Sequence, residues 1–198
     1  MFSDAFAALR RIGRKLVLPT ETIKKLVISS IPEVSGDIVD VGAGTLYWSE
    51  WIVSQYGSRC LAVDTYYKTG QSSGHQDILL YNDYISCIEA NPKPDMLWMC
   101  DVIHHLDYSM CRKVSESIES AEYKYIVIKD IDCRKKIGNM MNKLHDFLIN
   151  HEVIHDVNPR QIEMLLEKKG YDVRHYDIPK LWYPHFLMIA KRKEISVP

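Results

Sequence analysis

Ile38-Val39-Asp40-Val41-Gly42-Ala43-Gly44-Thr45-Leu46 runs from an apolar segment into two closely spaced glycines. Beyond them Tyr47, Trp48, Trp51 and Ile52 recur at helical spacing, up to a stop at Gly57. A strand that turns through glycines into a helix is the opening unit of a parallel α/β sheet. Such sheets bind ligands beyond the carboxyl ends of their strands. Glycine at that turn lets backbone approach a ligand with no Cβ in the way.

The same alternation continues outward. Apolar runs at 37–41, 59–64, 78–81, 96–100, 125–128, 171–176 and 186–190 read as strands. Helical periodicity covers 109–120 and 137–150, and a further helix is opened by Asn158-Pro159 and closed by Gly170. Residues 65–76 are polar and glycine-containing, and read as a loop. Before the first strand, Phe2, Phe6, Leu9, Ile12 and Leu16 mark one helix. Ile23, Leu26, Val27 and Ile31 mark another, stopped by Pro32. The expected organisation is an α/β domain over 36–198, its sheet covered on both faces, behind an N-terminal helical lid or extension over 1–35.

Bulk properties narrow the function. The chain has 198 residues, enough to bury one proper core. Its formal net charge of −1 supplies no global attraction to nucleic acid or to a membrane, although Arg10, Arg11, Arg14 and Lys15 gather near one end. Five cysteines without C-x-x-C spacing argue against a disulfide framework and a zinc knuckle. No apolar run is long enough to span a bilayer, and the first eighteen residues lack the apolar core of a signal peptide, so the expected location is cytoplasmic.

The glycine loop has its own chemistry. The dinucleotide pattern G-x-G-x-x-G would need its last glycine where Tyr47 stands. Asp40, two residues before Gly42, repels a pyrophosphate but suits an ammonium group. Asp64, twenty residues beyond Gly44, ends the next strand where a carboxylate can accept from ribose hydroxyls. A cofactor with a ribose, a positive amine and no phosphate is S-adenosylmethionine. With these residues in view, Asp40-Val41-Gly42-Ala43-Gly44, Val63-Asp64 and the segment Asp95 to Leu106 resemble motifs of the class I S-adenosylmethionine-dependent methyltransferases.

That resemblance spans about residues 36–192. It implies a Rossmann-like three-layer sandwich whose mostly parallel seven-stranded sheet has an antiparallel last strand. It also implies that Asp40 and the backbone of Gly42, Ala43 and Gly44 face the methionine portion, and that Asp64 binds the ribose. Asp83, or alternatively Asp77, would meet the adenine amine, and Asp101 would border the reacting end. S-adenosylhomocysteine would be the product. The chain departs from the family at Leu46, where a third glycine is common.

Methyl transfer from a sulfonium needs alignment, exclusion of water and, for a hydroxyl acceptor, a base. His105 after the fourth strand, His145 on a later helix and Asp130 after the fifth strand are the candidates. His185, before the last strand, is a candidate pocket wall. Asp101 and Asp130 also suggest a divalent cation, but Ile131 stands where metal-dependent relatives carry asparagine, so no metal is assigned. A small-molecule acceptor is expected. A non-catalytic partner subunit that binds the same cofactor is the main alternative. An RNA methyltransferase is weaker, for want of a basic stripe. A homo-oligomer is left open.

Overall fold

A computed structural model describes residues 18–68, 70–145, 154–181 and 183–194. The helix expected over 2–16 lies outside the described residues. So do the side chain of His145 and the end of the helix that carries it.

Seven strands form one sheet: β1 (Ile38–Val41), β2 (Cys60–Val63), β3 (Ile78–Tyr81), β4 (Met96–Cys100), β5 (Tyr125–Ile131), β6 (Tyr171–Asp177) and β7 (His185–Arg192). Their order is β3-β2-β1-β4-β5-β7-β6, and β7 alone runs opposite to the other six. The expected class and topology are therefore observed. Every residue of β1, β2 and β4 is buried, as strands covered on both faces require.

Alternate side chains serve opposite layers. Val39, Val41, Leu97, Met99, Ile126 and Ile128 pack against α3 (Tyr84–Ala90), α4 (Tyr108–Ser120) and α6 (Pro159–Lys168). On the other face Ile38, Met96, Trp98, Val127 and Leu187 meet α1 (Thr20–Ser30) and α2 (Tyr47–Tyr56). Each fully buried aliphatic side chain contributes about 1.5–3 kcal/mol. Trp48 of α2 lies 5.1 Å from Trp98 of β4, ring centre to ring centre, and Trp51 lies 5.6 Å from it. These aromatic contacts hold α2, and with it the glycine loop, on the sheet.

Several boundaries differ from the sequence reading. α3 was not expected. Asp83 caps it by accepting from the Ser86 N–H at 2.8 Å, and Tyr84, Cys87 and Ile88 are its inward face, too short a run to stand out. β5 continues three residues beyond Ile128 because Lys129 and Asp130 are buried with partners, so their polarity does not end the strand. Residues 65–68 and 70–76 form a loop of turns and bends, as expected. α1 buries Ile23 and Val27 in the same layer as α2, so this part of the 1–35 extension is core-forming. α5 (Lys136–His145) follows β5 and leaves Ile137, Met140 and Leu144 exposed. All five cysteines are free. No described helix is long and apolar enough to cross a membrane, and among the described residues no cluster of ligands could hold a metal ion.

Candidate functional site

The carboxyl ends of β1, β2, β4 and β5, with the start of β7, converge on one edge. At β1 the chain leaves the sheet through Gly42, at φ +73°. A Cβ there would stand 2.5 Å from Val102 Cγ2, so only glycine fits. The N–H groups of Gly42 and Ala43 donate to the Val63 carbonyl at 2.8 and 3.1 Å. The Gly44 N–H donates to Asp64 Oδ2 at 2.8 Å, and the Tyr67 hydroxyl donates to the Gly44 carbonyl at 2.9 Å. The loop after β1 is thereby laced to the end of β2. Leu46 has φ +65°, the left-handed conformation a third glycine would adopt without strain. The departure in sequence leaves the local backbone glycine-like.

Asp40 is buried to 1% exposure on the α2 side of the sheet. Among the described residues its one side-chain hydrogen-bond partner is Ser49, whose hydroxyl donates to Oδ2 at 2.6 Å from the first turn of α2. Burial pushes its carboxyl up to about 7; the Ser49 hydrogen bond opposes the rise, and the nearby Asp64 adds to it. Among the described residues no basic side chain offsets this acid. Asp64 is partly exposed, and its Oδ1 accepts from the Tyr66 N–H at 3.0 Å. The Ser86 backbone N–H draws the Asp83 carboxyl below the ordinary carboxylate range. Asp77 precedes β3 at the opposite, amino edge, and its carbonyl accepts from the Cys60 N–H at 2.8 Å. The alternative assignment of Asp77 is therefore corrected, because the strand boundary puts it at the wrong end.

The β4–β5–β7 half is organised differently. Asp101 follows β4 at φ +56°, and its N–H donates to the Lys129 carbonyl at 2.8 Å. The buried Lys129 ammonium pairs with its carboxylate. Burial pushes the Asp101 carboxyl up, but Lys129, then His185 and His104, outweigh it and leave it below the usual value. Asp130 has no exposed surface. It accepts from the N–H groups of Ile103 at 3.0 Å and Ile131 at 2.8 Å, and it pairs with His104 Nδ1. An acceptor hydroxyl has no access to this carboxylate, which corrects the expectation that Asp130 contacts it directly; it holds the turn after β4 instead. His105 is exposed in that turn, its ring 4.0 Å from the buried His104 ring. α5 ends at His145, whose side chain lies outside the described residues.

His185 pairs across the ladder with Ile131, so the first residue of β7 reaches the edge where β5 ends. It lines a cleft of about 240 Å³ together with Lys135, Asp177, Leu181, Tyr183 and Pro184. Sequence reasoning found His185 as a wall but missed Tyr183 and Lys135. Each stands alone in a loop with no spacing to mark it. Ser49 was also missed, since a serine in a first helical turn carries no signal of its buried partner.

No protein-family model matches the sequence, and no curated protein matches it. Solved structures do match in fold. A SAM-dependent methyltransferase from Archaeoglobus fulgidus is 17% identical, with 93% of this chain and 99% of that chain covered and a TM-score of 0.68. The 1,6-didemethyltoxoflavin-N1-methyltransferase of Burkholderia thailandensis, with 1,6-didemethyltoxoflavin and S-adenosylhomocysteine bound, is 12% identical over 98% of this chain and 86% of that one, at a TM-score of 0.66. Magnesium protoporphyrin IX methyltransferase from Synechocystis PCC 6803, with bound SAH, is 12% identical over 88% and 81%, at 0.63. The chain has the fold that these methyltransferases share.

Proposed function

We propose that this protein binds S-adenosylmethionine at the glycine loop and transfers its methyl group to a hydroxyl oxygen of a small molecule. One observation carries the reading. Asp40 is a buried carboxylate beside the loop, and among the described residues no cation offsets it; a ligand bearing an ammonium group would supply that charge. The ribose carboxylate is Asp64, which stands partly exposed at the end of β2. Gly42, Ala43 and Gly44 bring backbone close to the methionine portion, Asp83 faces the adenine amine, and Asp101 borders the reacting end. Bound there, the cofactor supplies a methyl group activated on a sulfonium.

The chain's own residues then have separable tasks. Asp101, fixed by Lys129, separates the donor loop from the cleft at β7. Asp130 positions the turn that carries His104 and His105. For a hydroxyl acceptor the proton goes to a histidine of this edge, and His105 is the exposed one in that turn. Two of the fold neighbours named above hold S-adenosylhomocysteine, and one of them, an N1-methyltransferase, also holds 1,6-didemethyltoxoflavin, which supports methyl transfer to a small molecule.

Calorimetric titration with S-adenosylhomocysteine tests the cofactor, with NAD as control. Binding that is lost in Asp40→Asn and weakened in Asp64→Ala is the expected result. Absence of binding to the wild type overturns the proposal. Binding without turnover across a panel of hydroxylated acceptors would favour a non-catalytic partner subunit.

A further inference from the structure

The amphipathicity of α5 is inverted. Gly138 and Asn142, one turn apart, form its buried face. Ile137, Met140 and Leu144 recur at i, i+3 and i+7 and make a single stripe. At about 100° per residue, that stripe lies on the side of the helix opposite Gly138 and Asn142. Its three side chains are 77%, 62% and 50% exposed. An ordinary surface helix turns its apolar stripe to the core. This one turns it outward, as a surface built to meet a partner does.

A second apolar element stands across the cleft from α5. Lys180 and Tyr183 exchange backbone hydrogen bonds, both at 3.1 Å, and Leu181 lies within the turn they close. Leu181 is 63% exposed at φ +55°, a conformation that glycine or asparagine would adopt with less strain. It lines the cleft with Lys135 and Gly138, so this turn and the start of α5 share one surface.

Positive charge borders the stripe. Arg134, Lys135, Lys136 and Lys143 lie in α5 or just before it, with no acid between 133 and 145. Arg134 is paired with Asp132 and Lys143 with Asp156, whereas Lys135 and Lys136 make no ion pair with any described residue. Asp177 is the acid that lines the cleft. A second copy of the chain would set these cations against themselves across a twofold interface. Residues 1–17 match no better, with Arg10, Arg11, Arg14 and Lys15 against Asp4 alone. An apolar stripe edged by lysines has its complement in the headgroup layer of an anionic bilayer.

We propose that α5 and the Leu181 turn dock this protein reversibly on an anionic lipid surface, with Ile137, Met140 and Leu144 among the headgroups and Lys135 and Lys136 against their charge. The docking face stands on exposure and charge and does not depend on the cofactor.

Co-sedimentation of the full chain with phosphatidylcholine vesicles, with and without about one third phosphatidylglycerol, tests it. The expected result is saturable binding to the anionic vesicles, weakened by salt, and binding about tenfold weaker or less to the neutral ones. Met140→Glu lowers the affinity about tenfold or more, and Ile137→Glu, at a second position of the stripe, does the same. Lys135→Gln combined with Lys136→Gln lowers it roughly tenfold. Met164→Glu, at a methionine of α6 that is 61% exposed, binds as the wild type does. Melting temperatures within about 3 °C of the wild type establish that the variants are folded. Absence of binding to the anionic vesicles overturns the proposal, and so does equal binding by Met140→Glu and Ile137→Glu or equal binding to neutral vesicles. A dimer that Met140→Glu splits into monomers, with no vesicle binding, also overturns it and gives the face to a second copy.

Discussion

The two halves of the carboxyl edge treat negative charge in opposite ways. Around β4, β5 and β7 the half-buried Asp101 and the buried Asp130 and Asp132 each have a basic partner within the protein: Lys129, His104 and Arg134. Around β1 and β2, Asp40 and Asp64 have hydroxyl and backbone partners only among the described residues, and the nearby Asp64 makes Asp40 harder to ionise. The first half is electrostatically complete. On the function proposed above, the second is completed by the cation of its ligand, and the difference then separates a scaffold from a binding site built on the same sheet.

The strongest test of that contrast is Asp40→Asn. Its carboxyl lies near 7 in the folded protein against an ordinary 3.8, so ionising it opposes folding. That contribution favours the fold at low pH and is lost as pH rises from about 4 to about 7, a penalty of about 4 kcal/mol at pH 8. The variant should therefore be more stable than the wild type at pH 8 in chemical denaturation, with the gain vanishing near pH 4. It should also lose roughly a hundredfold or more in S-adenosylhomocysteine affinity. Wild-type affinity should fall as pH drops through 7, whereas the variant's should not change.

Lys129→Ala probes the complete half. It strands Asp101 beside a cavity, and unfolding should cost about 3–5 kcal/mol less. S-adenosylhomocysteine affinity, measured well below the melting temperature, should change by less than fivefold. A collapse of affinity in this variant would show that the two halves are one electrostatic unit. Asp64→Ala removes two backbone hydrogen bonds and the expected ribose partner, and should weaken binding by about 2 kcal/mol, near thirtyfold. Leu46→Gly is the smallest change. Relief of a left-handed leucine is offset by the loss of its packing on the core, so stability should change by less than about 1 kcal/mol with binding retained.

Legibility in the sequence follows the same division. The donor half is local: Gly42, Gly44 and Asp64 lie within one strand–turn–helix–strand unit, and each residue type answers a constraint visible at its own position. The requirement at Gly42 is a positive φ and the approach of Val102. Even Leu46, which breaks the pattern, keeps the backbone that the pattern demands. Asp77 and Asp83 were inseparable because a polar boundary hides which residue ends β3. The other half is assembled from residues 101, 129, 130 and 185, and no local period links them. Lys129 and Asp130 read as the end of a strand because polarity usually means solvent, and only their partners on other strands reverse that meaning. Tyr183 and Lys135 became site residues only once β7 was placed against β5.

The placement of β7 also bears on how the chain acquires its structure. β7 follows β6 in sequence but lies between β6 and β5, so β6 has no strand beside it until residues 185–192 are available. Strands β1 to β5 pair among themselves without β7. On a ribosome the donor half can therefore assemble while synthesis continues, whereas the cleft must wait for a late, long-range insertion that is intrinsically slow. A nascent chain halted before residue 185 should carry the glycine loop after β1 and lack the cleft at β7.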